Sequence, residues 1–310
     1  MDKPVVLLTG PTASGKSALA LALASRLESA GGAVIINADS MQVYRELRIL
    51  TARPSAADES LVPHRLYGLR PADSPWSVAA FRAAAAQEIA DAEGRGSVPI
   101  LVGGTGLYLK GLLDGIANIP PIPDAIREAA RARLQGGGPM ALHRDLAAHD
   151  PETAATLRPT DSQRLTRAWE VLEATGRSLS SWQRETGAPV VPRERCLCYV
   201  VETERPALYD RIDRRFRRMI EEGAVDEVEA LLAQGLAGDL PVMRAVGVPQ
   251  VAAFLRAEID RETMIAQGSQ ATRNLAKRQL TWARNQMSSW DRVTQDSEIA
   301  VEKIFAKIRQ

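Results

Sequence analysis

Cysteine is nearly missing from this chain: Cys196 and Cys198 are the only two in 310 residues. Two cysteines exclude a disulfide framework and a four-cysteine zinc site. A Cys-x-Cys pair on a strand points both side chains to one face, which reads as reduced packing residues of a cytoplasmic protein. Histidine is almost as scarce. His64, His143 and His149 have no recognisable catalytic neighbour, so a structural or exposed role is expected for each. No apolar run approaches the ~18 residues that a membrane span needs. The run Val5–Leu8 behind Met1-Asp2-Lys3-Pro4 is too short for a secretory signal and reads as the first strand of a fold. Internal repeats, low-complexity tracts and coiled-coil patterns are also lacking, so a monomer is expected.

The last absence is local. Net charge is only +1, yet no Asp or Glu falls between Thr263 and Ser289, where Arg273, Lys277, Arg278 and Arg284 supply four positive charges. An acid-free basic segment is a footprint for phosphates even in a near-neutral protein. Simple abundance of arginine explains it equally well, and composition leaves both readings open.

What is present suits a globular α/β protein, with 45% hydrophobic and 25% charged residues. Strand and helix signals alternate over the first part of the chain, the pattern of a parallel sheet covered by helices. Val5 to Thr9, Val34 to Ala38 and Val98 to Val102 read as buried strands, with Pro99 marking the first residue of the third. Good helix formers run from Ser17 to Leu27. Val78, Phe81, Ala85 and Ile89 recur at helical spacing and predict a helix ending near Gly94. Ile119-Pro120-Pro121-Ile122-Pro123 is a stiff linker, and Asp124 suits an N-cap for a helix through Leu134 that Gly136-Gly137-Gly138-Pro139 breaks. Further helices are predicted from Met140 to Ala148 and from Ser162 to Ala174, before strand character returns in Cys196 to Val201. Leu208, Ile212, Phe216 and Met219-Ile220 form the apolar stripe of a core helix. The expected organisation is an α/β core over 1–118 and 189–310, interrupted by a small all-helical domain over 119–188.

Gly10-Pro11-Thr12-Ala13-Ser14-Gly15-Lys16-Ser17 fits G-x-x-x-x-G-K-[ST] between a predicted strand and a predicted helix. Such a P-loop, or Walker loop, holds a di- or triphosphate. Its glycines turn backbone N–H groups inward, the helix N-terminus and Lys16 add positive charge, and Ser17 can hold Mg²⁺. The loop does not say which atom is attacked. In ATP-binding enzymes a strand ending in Asp commonly holds the metal, but Val98 to Val102 runs into Gly103-Gly104-Thr105. Asp39 follows the second strand, where open α/β sheets gather their ligands. It reads as a residue of the phosphate crevice or as a helix N-cap.

Beyond the loop, Asn37-Ala-Asp-Ser-Met-Gln-Val-Tyr44, Thr51-Ala-Arg-Pro54, Pro63-His-Arg-Leu66 and Val102-Gly-Gly-Thr-Gly-Leu-Tyr108 stand in order. Asp161-Ser-Gln-Arg-Leu-Thr-Arg167, Arg211-Ile-Asp-Arg-Arg-Phe216, Arg244-Ala-Val-Gly247 and Arg273-Asn-Leu-Ala-Lys-Arg-Gln-Leu-Thr-Trp282 follow them. In order and spacing these blocks, from about Val5 to Trp282, resemble the bacterial type of the tRNA dimethylallyltransferase (tRNA isopentenyltransferase) family. The resemblance implies a P-loop NTPase-like core. It also implies transfer of a dimethylallyl group from dimethylallyl diphosphate, with Mg²⁺, to the N6 amine of adenosine 37 beside the anticodon. The tRNAs would be those reading codons that begin with U.

The same resemblance implies roles. The residues of the phosphate loop would hold the diphosphate, with Arg215 beside it and Arg211 assisting one helical turn away. Asp39 would be the general base and Thr105 would line the channel where base and prenyl donor meet. Asp39, Ser40, Met41, Gln42, Thr105, Arg127, Gln163, Arg164, Leu165, Thr166 and Arg167 would meet the tRNA. So would Arg244, Ala245, Val246, Gly247, Val248, Pro249, Arg273, Asn274, Lys277, Arg278 and Leu280. The helical domain would clamp the anticodon stem-loop. Val248-Pro249 departs from the aromatic and basic pair usual there, so a stacking or charge contact is in question. From the residues alone, the arginines suit a solvated helix face equally well. An ATP-dependent nucleoside or small-molecule kinase with Asp39 as base is the alternative reading. A nucleic-acid-binding ATPase is a third, but it lacks an identifiable metal-holding acid.

Overall fold

A computed structural model of the chain describes residues 3–294 and 297–309. The chain divides into two compact units, one of residues 1–113 and 190–310 and one of residues 114–189.

The first unit opens with β1 (Val5–Thr9), α1 (Lys16–Arg26), β2 (Ala33–Asn37), α2 (Ala56–Leu61), β3 (His64–Arg65), α3 (Val78–Gly94), β4 (Val98–Gly103) and α4 (Gly106–Asp114). The second unit holds α5 (Asp124–His149), α6 (Pro151–Thr156), α7 (Ser162–Thr175) and α8 (Leu179–Arg184). The chain then returns with β5 (Cys196–Glu202), α9 (Arg205–Glu221), α10 (Ala224–Leu232), α11 (Val248–Leu255), α12 (Arg261–Gln286), β6 (Asp291–Thr294) and α13 (Ser297–Ile308).

The six strands form one parallel sheet in the order β3-β2-β4-β1-β5-β6. Both faces are covered, which is why β1, β2 and β4 are continuous apolar runs and not alternating ones. Val5, Leu7, Val34, Ile36 and Leu101 pack on one face with Phe81, Ile89, Leu109 and Leu112 of α3 and α4. Val6, Leu8, Ile35 and Ile100 pack on the other with Leu19 and Leu23 of α1 and with Ile304 and Phe305 of α13. Cys198 lies buried on the first face with Cys196 at its margin, and both are free thiols. The stripe read in α9 is buried as a set: Leu208, Ile212, Phe216, Met219 and Ile220.

Two local expectations need correction. Pro99 is the second residue of β4, which lies between β2 and β1. It fits because pairing with β1 begins only at Ile100, leaving no ladder bond there for a missing N–H. Asp124 is not the cap of α5. Pro123 occupies that position without a side-chain bond, and Asp124 begins the first turn, where its charge still complements the helix dipole. The glycine run breaks the helix as read: within α5, Gly138 leaves helical geometry at φ 68° and ψ 179°, and a second helical segment starts at Pro139. Within the second unit, Ala130, Leu142, Leu146, Leu165, Ala168 and Trp169 form the core of the helices.

Among the described residues, no helix is long and apolar enough to cross a membrane.

Candidate active site

Three segments leave the carboxyl ends of neighbouring strands: the phosphate loop after β1, Asp39 after β2 and the Gly104-Thr105 turn after β4. Such an edge is where open α/β sheets bind ligands. Gly15 turns the phosphate loop into α1 at φ 91°, a conformation a side chain resists.

The loop faces a cavity of about 430 Å³ lined by Ala13, Gly15, Lys16, Ser17, Ala18, Arg211, Arg214, Arg215 and Arg218. The four arginines recur every three or four residues on one side of α9. The lining therefore holds five cations and no acid. Arg215 donates to the Thr12 hydroxyl, and Lys16 donates to the Pro11 carbonyl at 3.3 Å. Buried Nε and Nη2 atoms of Arg211 have no hydrogen-bond partner, so two charged donors are ready for an acceptor. Burial pushes the Lys16 ammonium down to about 8, while Asp39 pulls it up and Arg215 pushes it further down. Burial likewise lowers Arg215 to about 10, again against the pull of Asp39.

Asp39 is therefore close to the cationic cluster. It caps no helix. Its Oδ1 accepts the Met41 N–H at 3.0 Å, a local turn two residues on. That leaves Oδ2 facing the second glycine turn, 3.4 Å from where a Cβ on Gly104 would stand. Asn37, 3% exposed, locks this loop. It accepts the Asp39 N–H at 2.7 Å and donates to the carbonyls of Asp39 and Leu66, each at 3.0 Å. Burial raises the phenols of Tyr67 and Tyr108, and Asp39 adds to both shifts. Thr105 ties the two loops together: its hydroxyl accepts the Ser40 N–H at 3.0 Å and donates to the Ser40 hydroxyl at 3.3 Å.

The glycines of the second turn have steric reasons. A Cβ on Gly103 would stand 2.0 Å from the Ala38 carbonyl oxygen, on Gly104 2.1 Å from Gln279 Nε2, and on Gly106 2.1 Å from Trp282 Nε1. Helix α12 therefore lies directly on this turn. Gln279 accepts the Thr12 N–H at 2.7 Å and donates to the Gly104 carbonyl at 3.1 Å. Asn37 and Trp282 were missed as site residues in the sequence, and so was the tie that Gln279 makes between two loops. Gln279 and Trp282 share a helix face with Ala276 and Ala283, but only the fold shows that this face meets the glycine-rich turn.

The remaining candidates fall into distinct surroundings. Lys277, Arg278, Asn274 and Arg284 are exposed on the outer face of α12. Arg273 is instead held by Asp213 and Gln270, and Leu280 packs with Leu208, Ile212 and Ala13. Gln42 donates its amide to the Thr51 and Ala52 carbonyls, both at 2.9 Å, and Met41 packs on a core cluster. Arg244 and Pro249 are exposed, Val246 is half-buried, and Ala245 and Val248 are core residues beside Gly247. Gly247 caps α11 at φ 102° with Pro249 in its first turn, so helix initiation accounts for the Val-Pro pair. In the second unit Arg127, Gln163 and Arg164 are exposed, while Thr166 and Arg167 are half-buried. Leu165 is fully buried in that unit's core and offers no surface. The three histidines bind backbone carbonyls: His64 that of Val62, His143 that of Ala154 and His149 that of Asp145.

A parallel sheet with this loop after its first strand defines a P-loop NTPase-like fold. Comparison narrows the class. Residues 42–286 match the family model described as IPP transferase, and residues 3–69 match one described as isopentenyl transferase. A tRNA dimethylallyltransferase of Allorhizobium ampelinum is 51% identical over 93% of this chain and 94% of its own. One from Azorhizobium caulinodans is 50% identical over 99% and 97%. The crystal structure of the tRNA isopentenylpyrophosphate transferase of Bacillus halodurans superposes with a TM-score of 0.69 at 32% identity, covering 99% of this chain and 97% of that one. The chain belongs to the IPP transferase family.

Proposed function

We propose that this protein is a tRNA prenyltransferase that moves a dimethylallyl group from dimethylallyl diphosphate to the N6 amine of the adenosine beside the anticodon. The observation that carries this reading is the acid-free cavity with five cations, two of which, Lys16 and Arg215, feel the charge of the Asp39 carboxylate. A diphosphate held by Lys16, Arg215 and the open donors of Arg211 fills that charge. Family membership supports group transfer to tRNA over the kinase alternative.

In this reading the N6 lone pair attacks the allylic carbon while the carbon–oxygen bond breaks and its electron pair leaves with the diphosphate. Lys16, Arg211 and Arg215 take up the charge that develops on the departing oxygen. The exocyclic amine is a poor nucleophile, because its lone pair is delocalised into the ring. Asp39 Oδ2 accepts its proton as the new bond forms. Thr105 holds Ser40 and the Asp39 loop against the turn after β4. The base must leave its stack to reach this point, and exposed Lys277 and Arg278 provide phosphate contacts for a single-stranded loop.

Among the described residues no group of three or more metal-ligating side chains occurs, while Ser17 lines the cavity. That donor set fits Mg²⁺, which takes few protein ligands and completes its shell with phosphate oxygens and water. The ion would be held by Ser17 and would offset charge on the diphosphate.

The test mixes protein, Mg²⁺, labelled dimethylallyl diphosphate and unmodified tRNA, with ATP replacing the prenyl donor in a parallel reaction. Label is expected on the tRNA, and none when the adenosine beside the anticodon is replaced. Consumption of ATP with a small acceptor and no transfer of label would refute the reading.

A further inference from the structure

Helix α12 carries two unlike faces at one point along its length. Lys277 and Arg278 point outward and are exposed. Gln279, the next residue, turns inward and reaches two separate loops. Its Oε1 accepts the Thr12 N–H of the phosphate loop at 2.7 Å, and its Nε2 donates to the Gly104 carbonyl at 3.1 Å. The partners fix the amide's orientation, since an N–H needs an acceptor and a carbonyl needs a donor. Only an uncharged side chain with one of each satisfies both.

What Gln279 holds is central to the site. Thr12, whose N–H it takes, accepts from Arg215 through its hydroxyl. Gly104, whose carbonyl it takes, lies against Asp39: a Cβ there would be 3.4 Å from Asp39 Oδ2. One amide therefore spans from the arginine at the cavity to the turn beside the carboxylate. Ala13 and Leu280 pack in the same small apolar cluster, which seats the helix there independently of the amide.

We propose that Gln279 is a positioning residue that ties the phosphate loop to the Gly104 turn and so sets the spacing between the diphosphate cradle and Asp39. This rests on the prenyl-transfer reading for its chemistry, although the tie itself does not. A misplacement of the two reacting groups by a fraction of an ångström lowers turnover more than binding.

The test compares Gln279→Met, which keeps length and loses both bonds, with Gln279→Glu, which keeps shape and sets an acceptor against the Gly104 carbonyl. Turnover is expected to fall about ten-fold in the first and about a hundred-fold in the second, while KM for tRNA stays within about three-fold. A residue that only packs the helix would show the opposite ranking, with KM for tRNA rising alongside. Turnover within about two-fold of wild type in both variants, or Glu outperforming Met, would overturn the proposal. Wild-type protein in the same assay separates the two questions. If it moves no label, the reaction reading falls, and the tie is then judged by the rise in Tm on adding inorganic diphosphate and Mg²⁺. A smaller rise in both variants supports the tie, and an equal rise refutes it.

Discussion

Raising the pH should weaken diphosphate binding through one lysine. Burial brings the Lys16 ammonium down to about 8 in the free protein, with Arg215 adding to the fall. A diphosphate beside it favours the charged form, so binding draws on the protonated population. The sign follows directly: the depressed group loses its proton as pH rises through 8, and affinity falls with it. With a pKa of about 8, roughly three-quarters of the lysine is charged at about pH 7.5 and roughly 3% at about pH 9.5. The ratio is about 25-fold in Kd, or about 1.9 kcal/mol at ~1.36 kcal/mol per unit. Both pH values lie above the range where the diphosphate itself titrates, so its charge is constant. Calorimetric titration of dimethylallyl diphosphate at fixed Mg²⁺ without tRNA reads the effect, and Lys16→Arg should flatten the profile. A flat wild-type profile over this interval would refute the claim that a depressed Lys16 controls binding.

Other outcomes follow from separate contacts. Asp39→Ala should retain tRNA binding while turnover falls by about two to four orders of magnitude, the scale of a lost general base; turnover within a few-fold of wild type would leave Asp39 only its turn bond to Met41. Lys277→Ala should weaken tRNA binding and reduce the slope of log affinity against log salt by about 0.7, as for one single-strand phosphate; an unchanged slope would remove this face from the interface. Glu227 accepts the backbone N–H groups of Arg48, Ile49 and Leu50, so Glu227→Ala should lower stability by about 2–4 kcal/mol in urea unfolding. A loss below about 0.5 kcal/mol would show that water replaces the carboxylate there.

The parts of the site that obey a periodicity or a local loop rule were legible in the sequence. The phosphate loop needs glycines at fixed spacing, and the stripe through Leu208 and Phe216 placed the arginines of α9 on a helix. Contacts between distant segments were not. Nothing near residue 279 indicates that its amide binds residue 12 and residue 104, because the pairing depends on how α12 lies across the strand ends. The N-cap reading of Asp39 failed for a related reason. Asp39 donates its N–H to Asn37 and Ser40 donates its N–H to Thr105, so the chain turns after Asp39 and no helix follows it. The glycine run in α5, by contrast, was legible: Gly138 leaves helical geometry at φ 68° and a second helical segment follows it.

A net charge of +1 does not prevent a protein from presenting locally concentrated positive charge, because charges beyond a Debye length of about 8 Å are largely screened. What matters is the local arrangement of acids. On α9, Asp210 is paired with Arg214 and Asp213 with Arg273 of the neighbouring helix. Neither acid lines the cavity, where Lys16, Arg211, Arg215 and Arg218 remain. Arg273 thus looks like a surplus cation in the sequence but works in the fold as the partner that neutralises Asp213. Its removal would return a negative charge to α9 one turn from Arg217 and next to Arg214. The basic stretch of α12 is consequently divided. Arg273 is paired with the cavity helix, while Lys277, Arg278 and Arg284 stay exposed on the outer face.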